Sequence, residues 1–227
     1  MINNLIEKIG FSVCHQLPSR SLNIGNLYLP VCSRCTGIYI GFLVSALILF
    51  LMFRKKENDL PPAYIIIILC LFILSTVING ILSYFTLFST SNNIRFLTGF
   101  LCGSSIMTII YPIFIFQYYK ESENIKIFAS PTKFIIYLMV LIIFIATTLA
   151  KINFLGHFFY YLTAFSIIFT FYFINLVMIF LIPLFSQRAK KLLSKYLALP
   201  SVISISLSTL ELFLSYRFHQ FLLNFKF

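Results

Sequence analysis

The stretch TGIYIGFLVSALILFLMF, residues 36–53, decides the fold of this chain. It contains no charged side chain, and its length approaches the roughly 20 apolar helical residues that cross a hydrocarbon core about 30 Å thick. Its apolar residues are continuous, whereas a membrane-spanning β-strand would alternate apolar and polar residues. The stretch therefore predicts a membrane-spanning α-helix, in which every backbone polar group is satisfied within the segment.

The composition of the whole chain agrees with this prediction. Of its 227 residues, 60% are hydrophobic and 10% are charged, and the mean hydropathy is +0.97. A soluble domain of this size does not have such a composition. Five further apolar runs follow, divided by charged or proline-containing breaks, over residues 62–87, 96–117, 134–150, 155–183 and 200–216. We expect an all-α fold, a polytopic bundle of six transmembrane helices over residues 36–217, in one integral membrane domain over residues 1–227.

Residues 1–35 precede the first span and are expected to lie at the membrane surface. Five apolar residues share one helical face, which is typical of a short amphipathic helix at the interface. They are Ile2, Leu5, Ile6, Ile9 and Val13. The segment lacks an apolar core long enough for a cleaved signal peptide, so we expect the first span to act as an uncleaved signal.

The formal net charge is +11, from 17 Lys and Arg residues and 6 Asp and Glu residues. A polytopic protein concentrates such an excess in the loops on one side of the membrane, so the charge does not indicate nucleic acid as a partner. The few carboxylates are scattered along the chain. This composition excludes a hydrolase built on paired carboxylates.

The distribution of Lys and Arg predicts the orientation in the cell membrane. The loops after spans one, three and five contain ten of these residues: Arg54, Lys55, Lys56, Lys120, Lys126, Lys133, Arg188, Lys190, Lys191 and Lys195. The other side contains seven: Lys8, Arg20, Arg34, Arg95, Lys151, Arg217 and Lys226. Because cytoplasmic loops are enriched in Lys and Arg, we expect both termini to lie outside the cytoplasm.

A group of cysteines stands immediately before the first span. Cys32-Ser33-Arg34-Cys35 is a C-x-x-C pair, which supplies two thiolates about one helical turn apart, and Cys14-His15 lies upstream. Tetrahedral zinc commonly takes such a pair together with a further Cys or His from a distant segment. We therefore expect a metal site, with zinc as the cofactor, formed by Cys14, His15, Cys32 and Cys35. A site of three cysteines with one water is as plausible as a closed site of four ligands.

Two other interpretations of these cysteines stay open. The first is thiol redox chemistry at Cys32 and Cys35, because a helix N-terminus and the neighbouring Arg34 both stabilise a thiolate. A redox relay requires a second cysteine pair, however, and Cys14 is single. The second is a structural disulfide between Cys14 and either Cys32 or Cys35, as an extracytoplasmic location allows.

These segments resemble a family of bacterial and archaeal polytopic membrane proteins known as domain of unknown function 2085. The family signature is similar to Cys-His-Gln, then Arg-Ser, then Pro-x-Cys-x-Arg-Cys-x-Gly-x-Tyr-x-Gly, and it is matched from Cys14 to Gly41. A looser match covers residues 91–103, and this chain has Asn79-Gly80 where the family has Asp-Gly. The resemblance implies membership of a membrane protein family and no particular activity.

With six spans, several polar residues of the chain lie on the same side of the membrane as the cysteines. Ionisable groups inside spans are costly and mark candidate functional sites. We expect Arg20, Arg34, Asn79 and Arg95 to bind an anionic or lipid-like ligand in a cavity at the membrane surface. Glu211 lies on a polar stripe of the last span and is expected to face the same cavity.

The leading functional hypothesis is an integral membrane protein with a Cys/His zinc site next to this cavity. If the metal is catalytic, His15 or Glu211 is the candidate general base. One alternative is a membrane transporter, with Asn79, Arg95 and Glu211 lining the path. The other is a membrane thiol-disulfide oxidoreductase that uses Cys32 and Cys35. Membrane lipid is the expected partner in each case.

Overall fold

A computed structural model describes residues 2–25, 27–53, 57–85, 90–121, 123–190, 192 and 194–224, with the backbone alone described at residues 2, 84, 123 and 124. Five basic residues of the charge count therefore lie outside the described residues, namely Arg54, Lys55, Lys56, Lys191 and Lys226. The same holds for residue 87, the predicted end of the second span.

Helices dominate the described part of the chain. They are α1 (Ile2–Val13), α2 (Ser33–Phe53), α3 (Ala63–Tyr84), α4 (Asn92–Tyr118), α5 (Pro131–Leu149), α6 (Gly156–Phe180) and α7 (Lys195–Asn224). Among the described residues, α2 to α7 are long and apolar enough to cross a membrane. The predicted all-α bundle of six transmembrane helices is therefore confirmed.

The N-terminal segment contains a structure that the sequence did not predict. After α1 and a short 3-10 turn, β1 (Ser21–Ile24) and β2 (Leu27–Cys32) pair antiparallel as a hairpin. The hairpin packs on the start of α6, where a Cβ atom at Gly156 would overlap the carbonyl oxygen of Ile24. A second pair, β3 (Glu57–Asp59) and β4 (Glu123–Lys126), is parallel and joins the loops at the other ends of the helices.

Because successive spans reverse direction, the ends of the bundle define two faces. The N-terminal face holds α1, the hairpin, the starts of α2, α4 and α6, and the ends of α3, α5 and α7. The opposite face holds β3, β4 and the remaining helix ends. All the candidate site residues belong to the half of the bundle nearer the N-terminal face.

Helices α2 and α4 contact each other backbone to backbone. A Cβ atom at Gly37 would overlap the carbonyl oxygen of Phe96, and one at Gly99 would overlap the carbonyl oxygen of Arg34. Small residues allow such close approach between membrane helices. The contact fixes the first turn of α2 beside the first turn of α4, which brings Arg34 close to Arg95.

Four spans begin earlier than their apolar runs indicate, and the difference is largest for α4 and α7. Helix α4 begins at Asn92, and the Ser91 side chain caps it by accepting a hydrogen bond from the backbone N–H of Ile94 at 3.4 Å. Arg95 therefore lies within the first helical turn and not before the span. Helix α7 begins at Lys195, continues through Pro200 and ends at Asn224, so its polar last turns are helical as well.

The predicted N-terminal helix forms as α1, and it docks on the last turns of α7. Ser215 Oγ donates to the carbonyl oxygen of Ser12, and His219 Nδ1 donates to that of Phe11 at 2.8 Å. Ile6 is buried in this arrangement, and Leu5 is exposed. The placement of the apolar face in the membrane interface stays a prediction.

Candidate metal centre

Three cysteines from three segments of the chain meet where β2 ends and α2 begins. The Sγ atoms of Cys14, Cys32 and Cys35 all lie within 4.8 Å of one another. Cys14 follows the last turn of α1, Cys32 ends β2, and Cys35 lies in the first turn of α2. All three are free thiols, and the Sγ atoms of Cys32 and Cys35 are 3.3 Å apart, well beyond the roughly 2.05 Å of a disulfide bond.

Local hydrogen bonds hold Cys14 over the C-x-x-C pair. The backbone N–H of Cys32 donates to Cys14 Sγ at 3.3 Å, and the backbone N–H of Cys14 donates to the carbonyl oxygen of Gly10 at 3.0 Å. At the other side of the group, Thr36 Oγ1 donates to the carbonyl oxygen of Val31 at 3.2 Å. The thiols are therefore brought together by the backbone and not by a covalent bond.

Gln16 is a positioning residue that the sequence did not single out. Its backbone is in the left-handed region, with φ +53°. Its side-chain Nε2 donates at 2.8 Å to the carbonyl oxygens of both Glu7 and Pro30, and so ties α1 to β2. The Cys-His-Gln order was visible in the sequence, but the role of its third residue depends on α1 and β2 being neighbours.

The surroundings of the thiols are mostly apolar. Val31 and Ile167 are buried with Cys14, and Tyr39, Phe171 and Leu212 are among the partly buried residues that pack against them. Hydrogen bonds from the thiols of Cys14 and Cys35 lower the pKa of the Cys32 thiol. Hydrogen bonding to Cys32 in turn raises the pKa of the Cys14 thiol. Within the group, the pKa of the Cys32 thiol is thus shifted downward and that of the Cys14 thiol upward.

His15 does not join the sulfur group in this structure. Among the described His, Cys, Asp and Glu residues, the group that could hold a metal consists of the three cysteines. His15 is exposed, and its ring packs edge-on against that of His219, with the ring centroids 5.1 Å apart. Its role as a metal ligand or general base stays a prediction.

The predicted anion-binding residues lie beside the cysteines. Arg34 Nη2 donates to the backbone oxygen of Asn79 at 3.2 Å and to its Oδ1 at 2.9 Å. Arg95 interacts electrostatically with Arg20, Arg34 and Cys32. Helices α2, α3 and α4 and the turn before β1 thus bring Arg20, Arg34, Asn79 and Arg95 together.

Glu211 is held by another contact. Its Oε2 accepts a hydrogen bond from Asn175 Nδ2 at 2.8 Å, and its side chain is exposed. The neighbouring Leu212 packs against the cysteine group. The 16 helical steps from Lys195 to Glu211 rise about 24 Å, against a hydrocarbon core about 30 Å thick. Glu211 therefore lies at the depth of the cysteines, and its sharing of a cavity with them stays a prediction.

A cavity of about 530 Å³ lies on the N-terminal face between α1 and the end of α7. Its lining includes Glu7, Phe11, Gln16 and Tyr216. The cysteines and the arginines of the predicted anion site are not among the lining residues. The position of this cavity depends on the docking of α1 on α7, which the sequence did not predict.

Comparison with known proteins agrees with the resemblance seen in the motif. The model of a family described as predicted membrane protein (DUF2085) matches residues 14–109, a stretch that includes the three cysteines, the clustered arginines and Asn79 but not Glu211. An uncharacterised protein of Methanocaldococcus jannaschii is 33% identical over 109 residues, which cover 48% of this chain and 68% of that protein. An uncharacterised protein of Methanothermobacter thermautotrophicus is 32% identical over 97 residues, which cover 43% of this chain and 83% of that protein. No solved structure matches the chain. The chain belongs to the DUF2085 family of predicted membrane proteins.

Proposed function

We propose that the protein is a zinc-containing membrane protein in which Cys14, Cys32 and Cys35 bind one ion at the N-terminal face. The observation that carries the proposal is the grouping of three free thiols within 4.8 Å. Zinc–sulfur bonds of about 2.3 Å in a tetrahedral site place the sulfurs roughly 3.8 Å apart. The observed grouping needs only small side-chain rotations to reach that spacing.

The donor atoms select the class of metal. Thiolates are soft ligands that favour zinc and other soft cations, whereas calcium and magnesium take oxygen ligands. No Asp or Glu among the described residues belongs to the group. The apolar packing around the sulfurs also favours a bound cation, because separate thiolates buried there would repel one another.

Three protein ligands leave one coordination position for water, for His15 or for a bound ligand. His15 follows Cys14 directly in the chain, and its side chain is exposed. With water in that position, His15 and Glu211 are the candidate general bases of a catalytic site. With His15 in that position, the site is closed and structural.

Elemental analysis of the purified full-length protein tests the metal centre. We expect close to one zinc per chain in the wild type, and loss of that zinc in Cys14→Ser and Cys32→Ser. Cys70→Ser is the matched control, because Cys70 is an exposed thiol of α3 away from the group. This variant should keep its zinc.

Thiol counting on the same samples separates the other interpretations. A metal-free wild type with a disulfide between Cys14 and Cys32 or Cys35 would overturn the proposal. That result would favour thiol-disulfide chemistry or a structural disulfide, for which the 3.3 Å separation of the Cys32 and Cys35 Sγ atoms is the supporting observation.

A further inference from the structure

We infer that Arg20, Arg34 and Arg95 bind a phosphate group at the N-terminal face. The inference deepens the proposed function by naming the chemical class of the ligand. It rests on the proposed function because the two sites lie on one face of the bundle. The arginines themselves are positioned by contacts outside the sulfur group. The ligand is either the headgroup of an anionic lipid or a soluble phosphate compound, which share this chemistry.

Independent backbone contacts bring the three arginines together. Ser33 Oγ donates to the carbonyl oxygen of Arg20 at 2.8 Å, which holds Arg20 beside the start of α2. Asn92 Nδ2 donates at 3.1 Å to the carbonyl oxygens of Ser19 and Ser21, which holds the same turn against the start of α4. The glycine contact between α2 and α4 then fixes Arg34 relative to Arg95.

Carboxylates do not neutralise this cluster. Of the six acidic residues of the chain, four belong to the opposite face, namely Glu57, Asp59, Glu121 and Glu123. The other two are Glu7 in α1 and Glu211, which is bound by Asn175. Among the described residues, no ion pair involves any of the three arginines.

The neighbouring sulfur centre offsets only part of the positive charge. Zinc with three thiolates carries a single negative charge, because the ion supplies two positive charges and the thiolates supply three negative ones. Three guanidinium groups carry three positive charges, since arginine stays protonated in proteins. The surplus is close to the charge of a phosphate monoester, about −1.5 to −2, and still attracts a phosphodiester.

The arginines also have hydrogen-bond donors to spare. A guanidinium has five N–H donors. Arg34 uses Nη2 on Asn79, and its Nε is buried with no hydrogen-bond partner. Arg95 donates to Thr90 Oγ1 and Ser83 Oγ at 3.1 Å and to Asn92 Oδ1 at 3.4 Å, all neutral acceptors.

Burial distinguishes this cluster from basic residues that merely reach the lipid surface. Arg34 and Arg95 are half-buried, whereas Arg20 is exposed at the rim. Planar guanidinium groups bind phosphate oxygens in pairs, and basic sites between transmembrane helices bind lipid headgroups. The combination of half-buried arginines, neutral partners and surplus charge fits a phosphate group.

Titration of two phosphate probes against the purified full-length protein in neutral detergent tests this site. Inorganic phosphate and phosphatidylglycerol in mixed micelles are titrated separately, with zwitterionic phosphatidylcholine as the reference lipid. Phosphatidylglycerol bound in preference to phosphatidylcholine supports the site and identifies a lipid headgroup. Saturable binding of inorganic phosphate supports it and identifies a soluble compound. If neither probe binds, the inference is overturned.

Variants locate the binding. Arg95→Gln should weaken binding about tenfold or more, because a charge-assisted hydrogen bond is lost, and should leave the zinc content unchanged. Arg217→Gln is the matched control, because it removes an exposed arginine from the end of α7 on the same face. Equal effects of these two changes would overturn the inference.

Asn79→Asp is a second test of the site, which is needed if Arg95→Gln fails to fold. It keeps the size of the side chain and places a carboxylate against Arg34, so it should weaken phosphate binding through charge alone. Unchanged binding in this folded variant would contradict the site. Phosphate binding that persists in metal-free protein would sustain this inference while the proposed metal centre fails.

Discussion

The charged residues on the two faces of the bundle have different kinds of partner. On the opposite face, Lys133 Nζ binds Glu57 Oε1 and also lies over the ring of Phe53, and four of the six acidic residues of the chain are there. On the N-terminal face, Arg34 and Arg95 donate to neutral groups beside three free thiols. Lys133 on the opposite face is thus paired with a carboxylate, whereas the hydrogen bonds of Arg34 and Arg95 on the N-terminal face go to neutral groups.

The helices of the bundle also differ in how much of their surface is buried. Helices α2 and α4, which carry Arg34 and Arg95, contact each other through glycines. In the most apolar stretch of α4, 67% of the residues are buried, against 17% in that of α7. Helices α2 and α4 thus lie in the packed centre of the bundle, whereas α7 lies at its edge.

The largest expected effect concerns the orientation of the two faces. In a variant without native cysteines, a cysteine at Ser130, exposed at the start of α5, should react with an impermeant reagent only after the membrane is disrupted. A cysteine at Ser19, exposed before the hairpin, should react in intact cells. The reverse pattern would contradict the extracytoplasmic location of the termini.

Disruption of the glycine contact should have the next largest effect. Gly99→Leu places a large side chain against the backbone of Arg34, so we expect the free energy of unfolding to fall by about 3 kcal/mol or more. Gly80→Ala is the control, because a Cβ atom there lies 3.6 Å from the nearest atom, in the flexible side chain of Arg34. Thermal denaturation in detergent measures both, and equal stabilities would refute the close packing.

Acid should release the metal from the N-terminal face. Protons compete with the ion for the thiolates, so zinc content should fall as the pH is lowered. The expected direction is loss of zinc on acidification, because a protonated thiol no longer acts as a ligand. Equilibrium dialysis against a zinc indicator over a range of pH measures the release, and retention independent of pH would argue against thiolate ligands.

The smallest expected effect concerns the edge of the N-terminal face. Ser215→Ala removes the hydrogen bond from α7 to Ser12 in α1, so it should lower stability by about 1 kcal/mol and weaken zinc binding slightly, since Cys14 follows α1. Ser206→Ala is the control, because Ser206 is exposed and bonds only within its own helix, to Val202. Matching values for the two variants would show that this docking contact does not stabilise the centre.

The sequence predicted the features that depend on local pattern. Apolar run length predicted the six spans, and the spacing of Cys32 and Cys35 with Cys14 upstream predicted the sulfur group. The hairpin was missed because its strands are short, although Gly25, with φ +61°, offered a turn signal. The span boundary at Asn92 was missed because polar residues occupy the first turn of α4.

Contacts between residues that are far apart in the chain could not be predicted from the sequence. The contact between Phe11 and His219 spans 208 positions, and it places α1 and the ring of His15. The bond from Asn175 to Glu211 is a similar case. Local periodicity does not encode which helices become neighbours, so the placement of His15 and Glu211 required the structure.

X-ray absorption at the zinc edge of the purified protein tests the central claim most directly. We expect three sulfur atoms at about 2.3 Å and one nitrogen or oxygen atom at about 2.0–2.1 Å around a single zinc ion. Cys14→Ser should reduce the sulfur count by one or abolish zinc binding. Protein without zinc, or zinc bound by nitrogen and oxygen alone, would contradict the claim that the three cysteines form a metal centre.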